Sequence, residues 1–145
     1  MNSDAPVRSG AAARDGKQPD IPRRCFALAV RILRLVRVLP RDTGGQVVGR
    51  QLARCGTSVG ANVEEAQAAQ SKLDFARRMN IARAEATETL YRLRLLAEAE
   101  MVPRGRLTAM LEEADELVRI LTAIVKSSRQ KEPRAQPAVS RRSPS

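Results

Sequence analysis

The chain has 145 residues and a formal net charge of +10, with hydrophobic residues at 43% but aromatic ones at only 2%. A chain of one domain's length with so few rings builds its core from Leu, Val, Ile and Ala, and its basic excess points to polyanions or acidic proteins as partners. It has no histidine, which excludes Ser-His and Cys-His nucleophilic catalysis and leaves no candidate metal site of the Glu-x-x-His bundle kind.

Residues 1–19 are rich in Gly, Ala, Pro, Ser and charge and show no periodicity, so they are expected to be a disordered basic tail. They contain no apolar core of a secretory signal. No apolar run in the chain approaches the roughly 18 residues that span a bilayer. With two lone cysteines and no CxxC, these features predict a cytoplasmic chain that contacts no membrane and needs no cofactor.

The bundle domain is expected over residues 20–128. The first helix runs from Ile21 to Leu39, with Asp20 as N-cap and Pro22 in the first turn, and Pro40 ends it. The second runs from Thr43 to Ala69, with Val48, Leu52, Cys55, Val59, Asn62 and Ala66 along one stripe. Ser71 to Asp74 resembles a capping box and opens the third helix, which continues to Glu100 with Phe75, Met79, Ala82, Ala86, Leu90, Leu93 and Ala97 in 4-3-4 steps. Pro103 and Gly105 mark a turn before the fourth, whose stripe includes Leu107, Met110, Ala114, Leu117, Leu121 and Val125. Short connections between long helices imply an all-α, up-and-down antiparallel four-helix bundle. Residues 129–145, with Pro133, Pro137 and Pro144, read as a second disordered basic tail. Cys25 and Cys55 sit at core positions and are expected to be buried free thiols.

Three constellations stand out. In the first helix Leu28, Ile32, Leu35, Val36 and Leu39 face one way, while Arg23, Arg24, Arg31, Arg34 and Arg37 are placed on the other side with no acid between Ile21 and Arg41. Such an arc reads either as a solvated exterior or as a surface that tracks phosphates. The second helix carries Gly49, Ala53, Gly56 and Gly60 on one side, at about 1 kcal/mol per glycine relative to Ala. Another backbone should pass close by, either from this bundle or from a neighbouring subunit. Beside the core, Gln51, Arg54, Ser58, Asn62 and Glu65 on the second helix, with Asp74, Arg78, Glu85 and Arg92 on the third, suggest an interhelical polar network that fixes register. Glu85 and Glu88 together read as an exposed helix face rather than an acid–base pair. Nothing else in the sequence suggests catalysis, and the expectation is a protein without enzymatic activity.

The segment from Gln51 to Ala66, followed by Ser71, Asp74-Phe75, Arg78, Ala82, Glu85-Ala86, Glu88-Thr89 and Tyr91-Arg92-Leu93, resembles the 23S rRNA intervening-sequence protein family, the four helix bundle proteins. The resemblance spans residues 21–128. It implies the bundle fold and assembly into a homopentamer, and it is similar in fold to the accessory variability protein of diversity-generating retroelements, which implies nucleic acid and a reverse transcriptase as partners. Three positions depart from the family pattern: Cys55 replaces a small residue, Arg78 a lysine, and Arg92 a tryptophan, which puts in doubt the contact that ring makes. The expected function is an oligomeric accessory protein that binds nucleic acid, structured RNA in particular, through phosphate contacts and with weak sequence preference. The aromatic residues are Phe26, Phe75 and Tyr91, and with both phenylalanines placed in the core there is no platform for stacking bases. The alternative is a protein–protein scaffold that meets an acidic partner.

Overall fold

Asp20 opens the first helix by accepting a hydrogen bond from the Arg23 backbone N–H at 3.2 Å, which satisfies one of the donors a helix start leaves free. The computed structural model describes residues 20–130. The tails at 1–19 and 131–145 lie outside the described residues. Helix α1 spans Ile21–Val36, α2 Thr43–Gln67, α3 Lys72–Glu98 and α4 Arg104–Gln130.

The boundaries follow from local chemistry. Helix α1 ends short of the expected Leu39. Pro40 disfavours helical geometry in the residue before it, and Arg37–Leu39 close as a turn in which Val38 donates to the Leu35 carbonyl at 3.0 Å. Asp42 caps α2 by accepting from Gly45 N–H at 2.8 Å. Ser71 caps α3 by accepting from Asp74 N–H at 3.0 Å. At the other end of α3, Glu100 takes a positive φ of 54°. Its N–H reaches Ala97 O at 3.2 Å, and Met101 N–H reaches Leu96 O at 3.0 Å. This is the paired Schellman closure, with a glutamate where glycine is usual. Helix α4 continues to Gln130, so Arg129 and Gln130 are part of the helix and not of a tail starting at 129.

The helices pack in a ring, α1 on α2, α2 on α3, α3 on α4 and α4 back on α1. They enclose Leu28, Ile32, Leu52, Val59, Leu93, Leu96, Leu107, Leu117 and Leu121. Among the described residues all regular structure is helical, and the fold is a four-helix bundle. The aromatic side chains are placed differently from the expectation. Phe75 is only partly buried against the core, and Phe26 is 66% exposed.

The close partner of the glycine stripe is α1 of the same chain. A Cβ at Gly56 would lie 2.6 Å from Ile32 Cδ1, one at Gly60 3.2 Å from Cys25 Cβ, and one at Gly49 3.4 Å from Val36 and Leu39. The stripe extends one turn further than its spacing from Gly49 suggests, because a Cβ at Gly45 would lie 1.8 Å from the Pro40 carbonyl oxygen. Helix α2 runs unbroken through all four positions.

Candidate nucleic-acid interface

The arginines of α1 and of the turn that closes it divide into two sets. Arg23, Arg31, Arg34 and Arg37 are exposed. Arg24 is half-buried, with Nε on Glu113 at 2.9 Å and a terminal nitrogen on Glu116 at 3.0 Å. The hydrogen bond it donates to Glu113, with a second to Glu116, pushes its pKa above the ordinary arginine value. Helical spacing explains the difference: Arg24 is four residues before Leu28 and eight before Ile32, so it borders the core face and meets α4 there.

Two residues that the sequence pattern missed extend the basic surface. Arg41, in the α1–α2 turn, and Arg50, on α2, flank a shallow cleft that also receives Arg37 and the backbone of Gly45 and Gly49. Ion pairs among the described residues use Arg24, Arg54, Arg77, Arg92, Arg104 and Arg119; none uses Arg31, Arg34, Arg37, Arg41 or Arg50. Arg41 lies four residues after Arg37 and just beyond a helix end, a position that a search restricted to helix faces passes over.

The same arc is not purely charged. Phe26, Val30, Leu33 and Arg37 follow one another at helical spacing, with Phe26 66% and Leu33 47% exposed. Val38 is 63% exposed beyond them.

The expected polar network is divided by the structure. Gln51, Arg54 and Glu85 come together on the α2–α3 seam: Arg54 Nε donates to Gln51 at 3.2 Å and a terminal nitrogen to Glu85 at 3.3 Å. Its other terminal nitrogen reaches Glu88 at 2.6 Å, and Glu88 also accepts from Arg92 at 3.3 Å. The hydrogen bond from Arg54, followed by the one from Arg92, holds the Glu88 carboxyl below the usual carboxylate range. The Arg92 guanidinium also lies 5.8 Å from the centre of the Tyr91 ring, a cation–π distance. Glu88 and Arg92 are thus central to a network in which the sequence pattern had not placed Glu88.

The remaining expected members lie apart from it. Asn62 donates to Ser58 O and Oγ at 2.9 and 3.1 Å within α2. Asp74 pairs with Arg77 at 2.9 Å and not with Arg78. Arg78 is half-buried and has no ion pair with a described residue, and Glu65 is exposed. The network is therefore a seam of Gln51, Arg54, Glu85, Glu88 and Arg92.

Among the described residues no cluster of three or more Cys, Asp or Glu could hold a metal ion, and no helix is long and apolar enough to cross a membrane. Cys25 and Cys55 are buried and unpaired. Burial pushes the Cys25 thiol up to about 11 and raises that of Cys55.

No functionally curated protein matches the chain. A solved crystal structure from Bacteroides thetaiotaomicron VPI-5482, described as a protein of unknown function from the S23 ribosomal protein family, is 37% identical with a TM-score of 0.68, and the match covers 73% of this chain and 98% of that one. The family model described as 23S rRNA-intervening sequence protein matches residues 17–123. This match over most of the sequence, with the helical bundle, places the chain in the 23S rRNA-intervening sequence protein family.

Proposed function

We propose that the chain is a cytoplasmic, non-enzymatic accessory protein that binds nucleic acid, RNA in particular, as a homo-oligomer. The observation that supports this most is the exposed set Arg31, Arg34, Arg37, Arg41 and Arg50, unneutralised by any described carboxylate within salt-bridge distance. Guanidinium groups make forked contacts with phosphate oxygens, and each contact releases condensed counterions. The surface has no helix-turn-helix geometry for reading base edges, so binding depends on phosphate spacing and only weakly on sequence. A ring of protomers, with the pentamer of the family resemblance as its form, repeats the surface and concentrates its field. That resemblance also suggests a reverse transcriptase as a protein partner.

Fluorescence anisotropy with labelled RNA at several salt concentrations tests this reading. Arg31→Gln, Arg34→Gln and Arg37→Gln together should weaken binding to all sequences alike and flatten the salt slope by up to roughly two to three units of log K per log salt. Light scattering should give a mass several times that of one chain. A triple variant that binds as well as its parent, or an acidic protein retained on the purified chain after nuclease treatment, would favour the protein scaffold.

A further inference from the structure

We infer that Phe26 is a stacking platform for unpaired bases, so that the preferred ligand of the α1 surface is single-stranded RNA rather than duplex. This rests on the phosphate-binding reading above and names its substrate class. Three observations meet here. First, Phe26 is 66% exposed in the middle of a well-formed helix, although the buried face of that helix already holds Cys25, Leu28, Ile32 and Leu35. An aromatic ring left in water forgoes the burial that ordinarily stabilises it. Second, its helical neighbours on the outer arc are Arg23 three residues before and Val30 four residues after, with Leu33, Arg34 and Arg37 continuing the arc. All three of these arginines are exposed and outside every described ion pair. Third, the arginine closest to the core, Arg24, is clasped by Glu113 and Glu116, so these two carboxylates of α4 are held at the seam and do not neutralise the outer arc.

An exposed ring on the same helix arc as exposed arginines fits one class of polyanion. A duplex hides its bases in the stack and offers only phosphates and groove edges. A single strand offers a phosphate run for Arg23, Arg34 and Arg37 together with a free base face for the ring. The apolar surface of Val30 and Leu33 beside the ring suits the sugar and base edges that accompany an unstacked nucleotide.

The experiment compares oligo(A) RNA with its oligo(A)–oligo(U) duplex on the full chain. Phe26→Leu keeps the apolar character and removes the π face. It should weaken oligo(A) binding by roughly five- to a hundredfold, the loss expected for one base stack, and leave duplex binding within about twofold. Phe26→Trp should preserve single-strand affinity. Because the chain has no other tryptophan, quenching of the introduced indole on adding oligo(A) should report the stack directly. If Phe26→Leu leaves oligo(A) affinity unchanged while salt-dependent binding persists, the platform is wrong and the phosphate reading stands. If the parent chain binds neither RNA, both readings fail. A change in mass by light scattering on Phe26→Leu would assign the ring to a contact between copies. Binding to phosphatidylserine vesicles that is lost on Phe26→Leu, with RNA binding intact, would assign it to a lipid surface. Either result overturns the inference.

Discussion

Helix α2 meets its two neighbours in opposite ways. Against α1 the side chains are stripped back to glycine, and Ile32, Cys25, Val36 and Leu39 fill the space. Against α3 the apolar centre is bordered by long side chains, Arg54 spanning the seam to Glu85 and Glu88. The first contact is set by atoms that have nowhere to go. The second is set by groups that can move into water at small cost. A helix can thus be positioned by exclusion on one side and by reach on the other, and the two sides should respond very differently to substitution.

The largest effect is expected at Gly45. A Cβ there would sit 1.8 Å from a backbone oxygen, which cannot rotate away as a side chain can, so the α1–α2 turn must open. Gly45→Ala should destabilise the protein by about 3 kcal/mol or more, measured as a lowered denaturation midpoint at unchanged slope. A cost near zero would show that the turn is pliable and that the tight side of α2 is not fixed by exclusion.

Gly56→Ala comes next. Overpacking of about 1–3 kcal/mol is offset by about 1 kcal/mol of helix propensity, which leaves a net loss of up to about 2 kcal/mol. The clashing atom is Ile32 Cδ1, and Ile32→Val removes it. The double variant should therefore be more stable than the sum of the single changes predicts, and a double-mutant cycle measures that coupling. Simple additivity would mean that the helices separate as a whole instead of meeting atom to atom.

On the α3 side, Arg54→Met should lower the denaturation midpoint far less than Gly45→Ala does, as for other exposed pairs, and the difference from the parent should shrink in high salt. A loss as large as that of Gly45→Ala would erase the contrast between the two seams.

The smallest effect is in the acid range. Because Arg54 and Arg92 hold the Glu88 carboxyl below its ordinary value, their contribution is fully present above the unfolded glutamate pKa of about 4.3. It is lost as pH falls through the lower folded value. The stability gap between the parent and Glu88→Gln should be flat near neutrality and close at low pH. A gap that widens on acidification would contradict the pairing.

The four helices and most of their core were legible because apolar residues recur at helical spacing and because Asp20 and Ser71 are strong caps. Glycines at close spacing announced a tight contact, but a one-dimensional pattern could not say that the neighbour was α1. Arg24 was placed with the outer arginines although its spacing to Leu28 sets it at the core edge; the number of basic residues on the helix outweighed the angle of one. Phe26 was assigned to the core from residue type, whereas its position one residue past Cys25 turns it outward. Partner choice was the least legible property. Arg54 reaches Glu88 as well as Glu85 because side-chain reach across a seam depends on helix offset, which the spacing within either helix does not contain; Asp74 takes Arg77, three residues on in the same helix, in place of Arg78.

The burial of Cys25 beneath Gly60 gives the α1–α2 seam a built-in clock. With its thiol held at about 11 by desolvation, the closed protein presents almost no thiolate at neutral pH, and the sulfur is out of reach of an alkylating reagent. Once α1 lifts away, the thiol regains its ordinary acidity and reacts. The rate at which Cys25 is labelled therefore counts openings of the seam, and comparison with Cys55, buried where α2 faces the centre of the bundle, separates the peeling of one helix from the unfolding of all four.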